Sequence, residues 1–210
     1  MRIKIVAAVG CALLLATGCA NGESGSDDAG AEPASTATLL PQKLTKPATA
    51  VVDDEIKPSP AEDAPFAEQL EYELRRRTVK MAHAEGDTTA TCPANLASTK
   101  STKATCATTF DGVKVEWAVT IGDNAAWSDN YVQYDATPDR GILTREGVAR
   151  YLYGNNRDSI DYALCSDIPK AVTVPLDKDN KYRCEVVRKG QKPTGYSNKV
   201  WATESGPRSY

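Results

Sequence analysis

The sequence predicts an α+β fold of two tandem small modules, each a helix packed on an antiparallel sheet with one disulfide. Three observations carry this expectation. Cys92 and Cys106 lie in the first half of the region after residue 64, and Cys165 and Cys184 lie in the second. Each half opens with an amphipathic run at helical spacing and continues in segments whose apolar residues recur with period two. The second half also echoes the first in order: CSDIP stands where the first half has CPANL, KYRC answers KATC, and NKVWATE matches VEWAVT at a Trp-Ala pair.

The elements follow in chain order. Arg2 and Lys4 precede the uncharged, mostly apolar run Ile5 to Thr17, which leads into Gly18 and Cys19. Residues 1–18 therefore read as a secretory signal peptide; a membrane span would need roughly 20 apolar residues. Ala16, Thr17 and Gly18 directly before Cys19 resemble the lipobox of bacterial lipoproteins, whose cleavage leaves that cysteine N-terminal and acylated. Two acyl chains, at about 0.8 kcal/mol per buried CH₂, anchor a protein stably. The expected location is the outer face of the bacterial plasma membrane, lipid-anchored through Cys19. Plain secretion with Cys19 as a spare cysteine is the alternative.

Residues 19–63 read as a disordered acidic tether of Gly, Ser, Ala, Thr, Pro and acid, too poor in apolar surface to offset its ordering entropy. Its reach would be roughly 35–40 Å, at 5–6 Å times the square root of its length. Residues 20–63 hold nine acids against Lys43, Lys46 and Lys57, which leaves 20 cations and 19 anions in 64–210. That balance argues against nucleic-acid binding, which wants a clustered basic excess.

The first module is expected over 64–137. Phe66, Leu70, Leu74 and Met81 predict a helix over about 65–82, capped by Asp63, with Glu71–Arg75 and Glu73–Arg77 as acid-first pairs four apart. TTATC reads as a strand, LASTKSTK as a loop, and Ala104, Cys106, Thr108 and Phe110 as the apolar side of a second strand. Asp111-Gly112 is a two-residue hairpin signal. Val113, Val115, Trp117, Val119 and Ile121 continue a strict apolar face, and Tyr131 to Ala136 makes a further strand. The second module, 138–210, opens with Thr144 capping TREGVARYLY, a helix expected to stop at Gly154-Asn155-Asn156. Tyr182, Cys184 and Val186 alternate, RKGQKPTG turns, and NKVWATE closes the pattern.

Of the six cysteines, Cys11 leaves with the signal and Cys19 is acylated. The remaining four allow three connectivities. Sequential pairing, Cys92 with Cys106 and Cys165 with Cys184, is the leading expectation and closes loops of about 15–20 residues, each worth on the order of 3 kcal/mol. No C-x-x-C pair supports zinc, and the expected compartment is oxidising.

A short amphipathic helix, CPANL, a loop, KATC, a DG turn and a VT-rich strand together resemble the domain-of-unknown-function 4333 family of actinobacterial envelope lipoproteins. Residues 66–121 match best and 144–203 more loosely. The resemblance implies a small exported α+β module with an internal disulfide and no assigned catalysis.

Enzyme signatures are not assembled. His83 is the only histidine and stands at a helix end. Ser128-Asp129-Asn130 spells one element of the penicillin-recognising enzymes, but no S-x-x-K accompanies it. Asp177-Lys-Asp179 begins like a calcium loop and then places Lys181, Tyr182 and Arg188 where ligands or Gly are needed. No catalytic residue, cofactor or metal is expected. The candidate binding surface is the cationic run Arg75, Arg76 and Arg77 together with Trp127, Tyr131 and Tyr134. The other reading places the arginines on a solvated face and the aromatics, with Tyr151, Tyr153 and Tyr162, in the seam between modules. The expected function is non-catalytic binding of an envelope protein or glycan. The alternative is a protein inhibitor of an extracellular hydrolase such as a β-lactamase or protease, an analogy in plan with β-lactamase-inhibitory proteins.

Overall fold

Antiparallel strand pairing dominates a computed structural model that describes residues 39–48, 56–125 and 128–209. The order is β1 (Gln42–Leu44), α1 (Phe66–Ala82), β2 (Thr88–Thr91), β3 (Lys103–Phe110), β4 (Val113–Ala125), β5 (Ser128–Pro138), β6 (Gly141–Thr144), α2 (Arg145–Asn156), β7 (Ile160–Cys165), β8 (Ala171–Val174), β9 (Arg183–Arg188), β10 (Asn198–Thr203) and β11 (Gly206–Ser209). The fold is α+β. One sheet runs β2-β3-β4-β5, a second runs β1-β7-β9-β10-β11, and β6 pairs with β8 in a separate ribbon.

The same local order recurs after each helix. Following α1, four strands pair in sequence; following α2, β7, β9, β10 and β11 do so, with β8 diverted to β6. In each half a disulfide ties the first strand after the helix to its sheet neighbour: Cys92, just past β2, to Cys106 on β3, and Cys165 on β7 to Cys184 on β9. Cys165 lies directly opposite Cys184 in the β7–β9 ladder. Cys92 comes one step beyond the last β2–β3 pair, Thr91 with Ala107. Sequential pairing is thus the one of three connectivities that the strand registers bring into contact.

Local sequence explains most elements. The period-two face of β4 buries Val115, Trp117, Val119 and Ile121, and β3 answers with Cys106, Thr108 and Phe110. Asp111 (φ 45°) and Gly112 (φ 83°) both take the left-handed backbone that a two-residue hairpin turn requires. α1 buries Leu70, Leu74 and Met81 and ends at His83, whose left-handed backbone N–H donates to Val79 O at 2.8 Å. Its start differs from expectation. Pro65 holds the cap position without a side-chain cap, so Asp63 lies too early to reach the first turn. α2 continues through Gly154 to Asn156 before Arg157 ends it.

Buried apolar side chains form two clusters. The first joins α1 to β3 and β4, and it also takes Ile142 from β6, with Ala171 and Leu176 packed against it. The second lies under α2 and the larger sheet. Packing therefore crosses the boundary expected between residues 137 and 138.

Between the clusters the end of α1 meets the start of α2. Thr144 caps α2 as its sequence suggests, with Oγ1 accepting from Gly147 N at 2.8 Å. The same hydroxyl donates to Ala82 O, also at 2.8 Å. Gly147 approaches so closely that a Cβ there would stand 2.2 Å from Ala82 O. An Ala at 147 would push the helices apart.

Part of the stretch expected to be a structureless tether is built into the fold. Gln42–Leu44 pairs antiparallel with β7, and Leu44, 3% exposed, enters the second cluster. The Gln42 amide mimics one more backbone step: Nε2 donates to Ile168 O at 3.0 Å and Oε1 accepts from Ile168 N at 3.2 Å. Further on, Ile56 packs against the first cluster.

Two measurements test these contacts. Leu44→Ala is expected to lower stability by about 2–4 kcal/mol in urea unfolding, against less than about 0.5 for Leu39→Ala, because only the former removes buried volume. Thr144→Val strands a buried carbonyl and a buried amide, and should cost about 2–3 kcal/mol in the same assay.

Candidate functional site

The three arginines proposed for a binding surface are turned to internal work. Arg75 forks onto the carbonyls of Lys57 (2.6 Å) and Pro58 (3.0 Å), fastening residues 57–58 along α1. Arg76 pairs with Glu73 at 3.0 Å. Arg77 reaches Glu204, 127 positions away, and lies 4.7 Å from the centroid of the Trp117 ring. Neither acid-first pair four apart forms. Glu71 instead accepts Cys92 N at 2.7 Å, beside the disulfide.

Beneath Arg77, the fully buried Trp117 donates Nε1–H to Thr108 Oγ1 at 2.9 Å. Thr108 Oγ1 is 2.9 Å from Thr78 Oγ1, which lies 2.7 Å from Leu74 O. Each hydroxyl has one proton, so a single run from Trp117 through Thr108 and Thr78 to the helix carbonyl satisfies every group. The arginine face therefore sits on a fixed floor.

Tyr134 joins this arrangement, half-buried on β5 against the first cluster. Burial, and after it the Glu73 carboxylate, push its hydroxyl above the usual 10.0, opposed by Arg77 and Arg76. Trp127 and Cys19 lie outside the described residues, as does the side chain of Tyr131. Tyr151, Tyr153 and Tyr162 do not line the seam. Tyr153 OH donates to Asp161 O at 3.0 Å, Tyr162 carries Lys43 Nζ at 4.0 Å from its centroid, and Tyr151 faces Arg208.

A different surface emerges on the larger sheet. Residues 189–197 join β9 to β10, a nine-residue connection where β3 and β4 need only Asp111 and Gly112. A buried carboxylate holds this loop. Glu185, 5% exposed, accepts from Thr194 N, from Thr194 Oγ1 at 2.8 Å and from Gly195 N at 3.1 Å. Thr194 Oγ1 in turn accepts from Tyr196 N at 3.2 Å. Tyr196 projects at 75% exposure; among the described residues, the only other exposed large apolar side chain is Leu39. By sequence, RKGQKPTG is an ordinary turn. The pattern that marks it is an acid on a buried strand followed, nine positions on, by Thr-Gly.

No protein family, no curated protein and no solved structure matches this chain. Function must therefore be argued from its own residues. Among those described, no group of three or more His, Cys, Asp or Glu could hold a metal ion, and no helix is long and apolar enough to cross a membrane.

The raised Tyr134 value has a pH consequence. An acid whose folded value exceeds its unfolded value stabilises the fold fully below the unfolded value, and that contribution is lost as pH rises through the folded one. Stability of the protein should fall from about pH 10 upward, the unfolded value for Tyr. Tyr134→Phe should flatten this decline in urea midpoints measured across the alkaline range.

Proposed function

We propose that this chain is a lipid-anchored, exported, non-catalytic binding protein of the bacterial cell envelope. The carrying observation is the N-terminal run MRIKIVAAVGCALLLATGC, with its short positive start, thirteen-residue uncharged stretch and small residues before Cys19. The two disulfides support the reading, since such bonds persist in oxidising compartments. The shared order of helix, four neighbouring antiparallel strands and disulfide in the two halves, with β8 inserted in the second, supports an internal duplication. It fits the resemblance to the domain-of-unknown-function 4333 lipoproteins, which carry no assigned catalysis.

Inward use of Arg75, Arg76 and Arg77 argues against a lipid-binding arginine face. Membrane attachment then falls to Cys19 alone, and binding falls to a surface elsewhere. The test compares the full-length chain with Cys19→Ala in the same bacterium. The parent should partition into the membrane pellet and the detergent phase and carry a mass consistent with acylation. The variant should be released or retained unprocessed, without acyl mass. A parent found wholly in the soluble fraction overturns the anchor.

A further inference from the structure

The loop between β9 and β10 combines three properties that ordinary connections lack together. It is longer than the roughly two to five residues that a hairpin connection needs, and loops are where binding residues concentrate. It is held in one shape, because Glu185 gathers Thr194 and Gly195 and the Thr194 hydroxyl then takes Tyr196 N. It presents a large side chain to solvent, Tyr196, at 75% exposure. A rigid backbone bearing an exposed tyrosine offers contact area at low ordering cost.

Charge specifies the other side of the contact. Residues 186–203 contain Arg188, Lys189, Lys192 and Lys199 and no Asp or Glu. Lys199 pairs with Asp179. Arg188, Lys189 and Lys192 are exposed, and among the described residues none of the three meets a carboxylate. Beside the loop is a groove of about 320 Å³ whose walls include Tyr151, Glu185, Arg188, Lys192 and Tyr196, the Glu185 carboxylate being taken up by Thr194 and Gly195. An acidic side chain entering it would meet Arg188 and Lys192 while Tyr196 reached outward.

From these features we infer that the Glu185-held loop is the docking surface for a protein partner with an acidic cleft, into which Tyr196 inserts as the anchor. A protein is favoured over a wall polymer because the loop is shaped in advance around one projecting aromatic ring, the type of residue that dominates protein interfaces. A polymer of sugars would use a row of exposed rings, and among the described residues Tyr196 is the only exposed aromatic. The inference rests on the binding role proposed above and names the surface for it.

The experiment places photoreactive p-benzoylphenylalanine at position 196 of the full-length chain in intact cells, with the same residue at the exposed Lys114 position as a control. Irradiation should yield one protein adduct at 196 and none at 114, identified by mass spectrometry. The purified partner should bind the detergent-solubilised full chain with an affinity that falls between about 50 and 300 mM salt. Tyr196→Ala, at an exposed site, should weaken it about tenfold or more, and Lys189→Glu with Lys192→Glu should weaken it further. Glu185→Ala should free the Thr194 and Gly195 amides to exchange faster and weaken binding with Tyr196 still present.

Equal adducts at both positions, a glycan or lipid adduct, or a partner indifferent to Tyr196→Ala overturns the loop. General cross-linking on the same cells separates the two readings. A specific partner captured that way but never through position 196 overturns the loop and supports the binding role; no specific partner by either route overturns both.

Discussion

One hydroxyl bonds the two helices of this fold to each other, at the point where the two halves pack together. Thr144 Oγ1 accepts the Gly147 amide that α2 leaves unpaired at its start and donates to the Ala82 carbonyl that α1 leaves unpaired at its end. The last turn of one helix carries partial negative charge and the first turn of the next partial positive charge, so the contact is also electrostatically favourable. Nothing larger than Gly fits at 147, because Ala82 O occupies the space. The two clusters therefore meet at a hydrogen-bonded joint, and Ile142, just before it, is already part of the first core.

Near that joint, the buried hydroxyls of Thr78, Thr108 and Thr144 each have hydrogen-bond partners. Trp117, Thr108 and Thr78 pass hydrogen bonds from sheet to helix through the middle of the first core. Glu185 does the reverse, drawing a surface loop down onto a buried carboxylate. Burying an unpaired charge costs several kcal/mol or more, so the loop conformation and the acid sustain each other. One network stiffens the interior, and the other fixes a shape outside.

The cationic helix shows how composition can mislead about purpose. Three consecutive arginines look like a surface for anions, yet one holds the preceding chain, one pairs within the helix and one spans to β11's hairpin through Glu204 while covering Trp117. The Tyr196 loop and its flank carry the same number of cations, but the exposed Arg188, Lys189 and Lys192 meet no carboxylate among the described residues. Net charge counts residues; available charge depends on what the fold has already neutralised.

Much of the fold was legible in the sequence because it depends on neighbours a few positions apart. Helical spacing marked α1, alternation marked β3 and β4, Asp111-Gly112 marked their turn, Thr144 marked the α2 cap, and an even count of cysteines marked two disulfides. The candidate site was scarcely legible. Tyr134 does come to Arg76 and Arg77, but nothing local in the sequence marks the arginines' distant partners, and RKGQKPTG has the composition of an ordinary turn. Those outcomes turn on pairs such as Arg77 with Glu204 and Gln42 with Ile168, 127 and 126 positions apart, and on whether Glu185 is buried. The sequence by itself determined the two helices, the strands β3 and β4 and the turn between them, since local backbone preference and side-chain period act within a few residues; short strands such as Gln42–Leu44, whose pairing partner is far along the chain, carry no such local mark. Only the tertiary structure decided which charges are spent inside and which tyrosine is left in solvent, because those depend on distant groups competing for the same partners once the chain is packed.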